Sequence, residues 1–198
     1  ACLERALVVG SAPCVWDDLD AAPDWPLIVC NAMGLRIPDP IAAWVSVHGM
    51  PLVNRIRKRR AMGFSMDFDA FGLLGTHVKP PHDVRPQFKA ITERNRAEYG
   101  VSGRGSSGMM AVEIALHLGC EKIILCGIPL EGNMTIQDDR VETDKWIRGT
   151  HGGKIGMYQK YQKIWVDQED RFWKHLRSMS GWTQTYFGPP TEEWINGS

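Results

Sequence analysis

The stretch from Arg104 to Gly127 restricts this chain more than any other. It opens with Arg104-Gly105-Ser106-Ser107-Gly108, continues as an apolar-periodic run through Met109, Val112, Ala115 and Leu116, and passes Gly119 before a continuous apolar run from Lys122 to Cys126. Periodicity and turn chemistry predict a loop, a helix, a left-handed glycine cap, a buried strand and a second loop at Cys126-Gly127. Such a unit is half of an α/β ligand site. Small residues at the helix start let a ligand approach first-turn N–H groups that have no intrahelical partner and lie at the positive end of the macrodipole. A serine in this place usually caps the helix, but one hydroxyl is enough for a cap, so Ser106 and Ser107 can divide capping and binding between them. Arg104 adds a full charge beside them.

Gly103, Gly105 and Gly108 spell G-x-G-x-x-G. The dinucleotide fingerprint needs a strand directly before it and an acidic residue near the end of the next strand. The segment from Gln87 to Glu98 reads as helix and the next strand ends at Cys126-Gly127-Ile128, so an NAD site at this loop is not expected.

Three more apolar runs deliver polar residues to one edge of a sheet. Arg5 to Val9 ends in Gly10-Ser11-Ala12-Pro13, Leu27 to Cys30 ends in Asn31, and Ala42 to Val47 ends in His48-Gly49. In open α/β sheets ligands bind beyond this carboxyl edge. Singly, Asn31 serves a turn as readily as a ligand, and a lone histidine such as His48 is more often structural; their convergence carries the weight. Pro51 to about Arg60 reads as helix with Leu52, Val53 and Ile56 inward. Between Gly63 and Pro86 the pattern dissolves, with Thr76 to Lys79 as a short strand. Helix is predicted from about Pro86 to Tyr99 and from about Gly156 to Ser178, and a last strand from Trp182 to Phe187. The polar, glycine-rich connection 129–155 is far longer than the usual ~4–6 residues, which marks it as a lid or active-site loop. The whole reads as one α/β domain over 1–198: a Rossmann-type, three-layer arrangement with a mostly parallel sheet and an irregular tail over 188–198.

Composition removes several function classes. The 23 basic and 23 acidic residues balance, so no general electrostatic grip on nucleic acid is expected. The basic cluster Arg55 to Arg60 reads as a solvated helix face. Five cysteines without a C-x-x-C pair suggest buried free thiols in a reducing compartment and hence a cytoplasmic protein. No apolar stretch approaches a membrane span, and the first strand begins too soon for a signal peptide in this sequence. Trp165 and Trp173 are expected to pack the core from one helix. Asp67-Phe68-Asp69 matches the D-x-D of metal-dependent glycosyltransferases, but three letters in an irregular region favour an ordinary acidic loop. His77, His82 and Asp83 fit no zinc spacing.

Taken in order, these segments resemble one superfamily: the bacterial sialyltransferases together with the archaeal 6-hydroxymethylpterin diphosphokinase-like proteins. The first strand and loop, Val8 to Pro13, resemble the family's glycine-containing nucleotide loop; Cys30-Asn31 resembles its Cys-Asn pair; Arg104 to Gly108 resembles its Arg-x-Thr-Ser-Gly turn; Cys126-Gly127-Ile128 resembles the strand end that follows. The resemblance implies a cytidine nucleotide, typically a CMP-sugar, and inverting transfer to a hydroxyl acceptor without a metal cofactor. It implies that Gly10, Ser11, Ala12, Pro13 and Asn31 hold the nucleotide, with Gly127 and Ile128 at the same edge. Ser106, Ser107 and Gly108 would contact the donor, and Arg104 would support their turn or neutralise an acidic group. His151 stands where the family's general base stands, and a neutral imidazole of pKa about 6.5 suits that task, usually worth about 10²–10⁴-fold.

The chain departs from the family pattern in two places. Pro129 to Thr135 has none of the tyrosines that stabilise the leaving phosphate, and Ser11-Ala12 replaces the asparagine of the first loop. Asn133, Thr135, Lys145 and Arg148 are the candidates for phosphate contacts. Two other readings stay open: a Mg²⁺-dependent diphosphokinase-like enzyme, and a non-catalytic nucleotide-binding or assembly protein. A sugar, a lipid-linked glycan, a protein side chain and a modified nucleobase are all compatible acceptors, and since related single-domain enzymes often assemble, a homo-oligomer is compatible too.

Overall fold

The computed structural model describes residues 3–103, 105–131 and 155–197. Short apolar runs dominate its first half because strands of a parallel sheet are covered on both faces. Seven strands form one all-parallel sheet: β1 (Arg5–Val9), β2 (Leu27–Cys30), β3 (Ala43–Ser46), β4 (Asp69–Leu73), β5 (Phe88–Ile91), β6 (Lys122–Cys126) and β7 (Leu176–Ser178). Their spatial order is β5-β4-β3-β2-β1-β6-β7. The chain thus winds outward from β1 to β5, returns to place β6 on the other side of β1, and ends at β7. Leu7 pairs with Leu27 on one side and with Ile124 on the other. The reversal between β1 and β6 makes a topological switch point, where the loops leaving two adjacent strands diverge and open a crevice.

The helices are α1 (Val15–Ala21), α2 (Gly49–Ala61), α3 (Ser107–His117), α4 (Ile155–Val166), α5 (Glu169–Phe172), α6 (Gly181–Phe187) and α7 (Glu192–Asn196). Side chains alternate across each strand, and the core divides accordingly. Ala6, Val8, Ile28 and Val45 face α3, with Trp165 of α4, Phe172 of α5 and Phe187 of α6 in the same cluster. Leu7, Val9, Val29 and Trp44 face Val15 of α1 and Leu52, Val53 and Ile56 of α2. This is the expected three-layer α/β fold, and α3 runs across β1, β2 and β3.

Several elements differ from expectation. The supposed helix from Pro86 to Tyr99 is strand β5 followed by turns, and β4 lies in the stretch that reads as irregular. Neither has a long enough apolar period to be read alone; each is fixed by its neighbour, β4 by β3 and β5 by β4. Gly72 hides β4 further, yet a Cβ there would lie 2.7 Å from Phe88 Cζ and 3.0 Å from Gly49 Cα, so glycine is what lets β5 and α2 close on the strand. Thr76 to Lys79 is not a strand but begins as a turn. The expected helix from Gly156 to Ser178 breaks into α4, α5 and β7, because the last residues pair with β6. Trp182 to Phe187 is helix, not strand, and the tail holds α7. Trp165 is fully buried, whereas Trp173 lies outside α4 and is 47% exposed.

The basic run of α2 is also more structural than a solvated face. Arg59 is fully buried, and its guanidinium donates to the carbonyls of Gly34, Ile37, Asp39 and Ser65. Arg57 keeps to the surface and pairs with Asp83 at 2.8 Å. The free cysteines Cys30, Cys120 and Cys126 are buried, as expected, and Cys14 is half-buried. Among the described residues no helix is long and apolar enough to cross a membrane.

Candidate functional site

The crevice at the switch point is an open cleft, with about 450 Å³ of empty space when the solvent at its mouth is included. Four segments build it. The loop after β1 supplies Gly10, Ser11 and Ala12; the end of β2 supplies Cys30 and Asn31; the start of α3 supplies Ser106, Ser107 and Gly108; the turn after β6 supplies Gly127 to Leu130. Ser11, Asn31 and Ser107, which the sequence only suggests share an edge, line the same space. Pro13 is exposed and stands outside the wall. His48 stands outside as well, because β3 lies two strands from the switch point. The D-x-D residues Asp67 and Asp69 lie at the amino end of β4, on the opposite edge of the sheet, where Asp69 pairs with Lys89 at 3.4 Å. Asp83 is occupied by Arg57. Arg104, Asn133, Thr135, Lys145, Arg148 and His151 lie outside the described residues.

Local backbone chemistry explains the shape. Ser106 caps α3, its hydroxyl accepting from the Met109 N–H. Ser107 is therefore free of the capping task, and the N–H groups of Ser107 and Gly108 are first-turn donors without an intrahelical acceptor. The β1 and β6 loops are laced together: Gly10 N–H donates to Cys126 O at 2.8 Å and Ala12 N–H to Gly127 O at 3.1 Å. A Cβ at Gly10 would overlap the Gly127 carbonyl and Ile128, so only glycine allows this approach. Among the described residues, the two non-glycines with positive φ are Asn31 (50°) and Leu130 (51°). Both line the cleft. Strained backbone of this kind concentrates at ligand sites, where the surroundings hold it.

Support comes from residues that the sequence did not single out. Asp18 of α1, a buried carboxylate, accepts from Gly127 N–H at 2.7 Å and from the Ser180 hydroxyl at 2.8 Å. Thr183 of α6 donates to Ile128 O at 2.7 Å, and Gln162 of α4 donates to Leu130 O at 3.0 Å. Ser46 of β3 donates to Asn31 Oδ1 at 2.9 Å, and Trp44 donates to Asn31 O at 2.7 Å. None belongs to a motif; Asp18 and Gln162 sit among other polar residues of their helices, and only Ser46, a hydroxyl closing the apolar strand Ala43–Ser46, stands out in the sequence. Burial pushes the Cys30 thiol up to about 12 and raises Cys126 and Cys14 as well, so these groups stay protonated and Cys30 serves as floor. Among the described residues the wall carries no charged side chain. It presents hydroxyls, one amide and backbone N–H groups to a ligand.

No family model matches the chain, and no curated protein matches it in sequence. Solved structures do match. The fold is that of the Campylobacter sialyltransferases. The monofunctional α-2,3-sialyltransferase Cst-I from Campylobacter jejuni superposes with a TM-score of 0.59 at 14% identity, over 99% of this chain and 82% of that one. CstII from the same organism, in complex with cytidine-5'-monophosphate, gives 0.57 at 11% identity over 96% and 86%. CstII with the substrate analogue CMP-3FNeuAc gives 0.54 at 12% identity over 94% and 86%. At such identities the likeness is one of architecture, and function is argued from the site.

Proposed function

We propose that this chain binds a CMP-sugar in the cleft between the β1 and β6 loops and transfers the sugar to a hydroxyl acceptor. The supporting observation is the meeting of Ser11, Asn31 and the Ser106-Ser107-Gly108 turn in one cleft, on a fold shared with sialyltransferases that have been solved with CMP and a CMP-sugar analogue. In this reading the nucleoside lies along Gly10 to Ala12 and Asn31, and the phosphate takes the unpaired N–H groups that open α3, aided by the helix dipole. Arg104, next to that turn in sequence, adds positive charge. His151 removes the proton of the acceptor hydroxyl, whose oxygen forms the new bond to the anomeric carbon as CMP leaves with the bonding pair. Asn133, Thr135, Lys145 and Arg148 are the groups from which the leaving phosphate draws its donors. The reaction needs no metal.

Calorimetry with CMP, CDP, UDP, GDP and ATP, with and without Mg²⁺, tests the nucleotide. Metal-independent CMP binding is expected; binding of ATP alone, and only with Mg²⁺, overturns the reading. For the base, His151→Ala is expected to leave CMP affinity nearly intact and to lower turnover of the CMP-sugar by about two orders of magnitude or more. Unchanged turnover removes His151 from the mechanism.

A further inference from the structure

The Asn31 side chain is held by a hydrogen-bond network that decides which end of its amide faces the cleft. Its Oδ1 lies 2.9 Å from Ser46 Oγ and 3.0 Å from Ser107 Oγ. Each hydroxyl already accepts a backbone N–H, Ser46 from His48 and Ser107 from Val47, both at 3.1 Å. A serine hydroxyl has one proton to give. Among the described residues neither hydroxyl has another acceptor, and both serines are buried, Ser46 completely. With the amide turned over, Nδ2 would donate to both hydroxyls and leave both hydroxyl protons without an acceptor among the described residues, the costly arrangement for buried donors. Amide orientation is a matter of network satisfaction, and here the network allows one answer. Trp44 Nε1–H, bonded to Asn31 O at 2.7 Å, fixes the backbone at its positive φ, so the side chain cannot escape the choice by turning away.

We infer that Ser46, which does not touch the cleft, is a positioning residue: with Ser107 it locks the Asn31 amide so that its NH₂ meets the ligand, and the ligand atom opposite Asn31 is a hydrogen-bond acceptor. Asn31 Nδ2 makes no hydrogen bond to the described residues, whereas its Oδ1 is fully used. A carbonyl oxygen, ring nitrogen or phosphate oxygen satisfies such a donor; a ligand N–H or an obligate O–H donor in that place is rejected. The inference rests on the nucleotide reading above and sharpens it, because it assigns one polarity to one wall of the site.

The test uses the full chain and CMP. In ¹⁵N-labelled protein the Asn31 NH₂ signals are identified as the pair missing from Asn31→Asp. Saturating CMP is expected to shift at least one of these protons and slow its exchange. Ser46→Ala, which lets the amide turn, is expected to weaken CMP binding about three- to tenfold and to broaden or double the Asn31 pair. Should Ser46→Ala not fold, Ser46→Cys keeps most of the volume, weakens the donor and takes its place. If wild-type protein binds no CMP, the nucleotide reading fails and this inference with it. If wild type binds CMP while the Asn31 NH₂ signals do not respond, or the Ser46 variant binds as tightly as wild type, the inference alone is overturned.

Discussion

The carboxylate of Asp18 accepts the backbone N–H of Gly127 at 2.7 Å across 109 residues of chain. It ties the first helix to the turn that ends β6, and a second bond from Ser180 at 2.8 Å brings in the start of α6. Buried polar groups are costly when unmet, so this carboxylate governs how firmly the cleft's β6 wall is held. Asp18→Ala is expected to lower the unfolding free energy by roughly 1–3 kcal/mol and to weaken CMP binding. Asp18→Asn, which keeps an acceptor oxygen, should lose less on both counts. Urea unfolding and calorimetry measure the two; equal effects from both variants would show that the acceptor is not what matters.

Gly127 and Gly63 separate backbone strain from steric exclusion. Both have positive φ, 65° and 73°. A Cβ at Gly63 meets nothing within 4 Å, while one at Gly127 lies 2.6 Å from Val15 Cβ and 2.9 Å from Gly10 O. Gly63→Ala therefore carries only the left-handed penalty of about 1–2 kcal/mol. Gly127→Ala adds overpacking at the β1–β6 contact, for a total of about 3 kcal/mol or more, and should distort the cleft. Chemical denaturation of the two variants compares them, and equal losses would contradict the crowding seen here.

Arg59 and Arg57, two residues apart on α2, should behave oppositely. Arg59 satisfies four backbone carbonyls from inside the fold. Arg59→Met removes those donors at once and is expected to cost about 3 kcal/mol or more. Arg57 makes a solvent-exposed pair with Asp83, and Arg57→Ala should leave the unfolding midpoint nearly unchanged. A large loss from the surface variant would reverse the assignment.

Glu113 gives α3 a pH dependence. Burial raises its carboxyl above the ordinary value of 4.5, against lowering by the Ser102 N–H and Arg171. Between the ordinary and the raised value the folded protein holds a proton that the unfolded chain has released, so stability falls as pH rises through that interval. Glu113→Gln removes this titration. The stability of wild type relative to Glu113→Gln should therefore decline from about pH 4.5 upward and level off once Glu113 is ionised in both states. Unfolding curves at several pH values follow this difference, and a difference that rises with pH would refute it.

Continuous apolar strands and punctuating residues were the legible part of this chain. β1, β2 and β6 and the helix α3 have the bounds their patterns predict to within a residue or two, since each is an apolar run closed by glycine, asparagine or serine. The same punctuation marked the cleft: Gly10, Ser11, Asn31, Ser107, Gly108 and Gly127 all line it. Elements at the sheet's edges were not legible. β5 carries Lys89 in a four-residue strand, and β7 is three residues long; their strand character comes from pairing with β4 and β6, which no local pattern records.

Residue order alone therefore determined that a parallel α/β core would form and which strand ends would carry polar residues, because burial on both faces and helix capping are local demands written into composition and spacing. Tertiary structure alone decided that β6 returns beside β1, that Asp18 reaches Gly127, and that Ser46 and Ser107 converge on one amide oxygen of Asn31. Those relationships join residues far apart in the chain, Asp18 and Gly127 by 109 positions, and a hydrogen bond's direction exists only once both partners have been brought within about 3 Å.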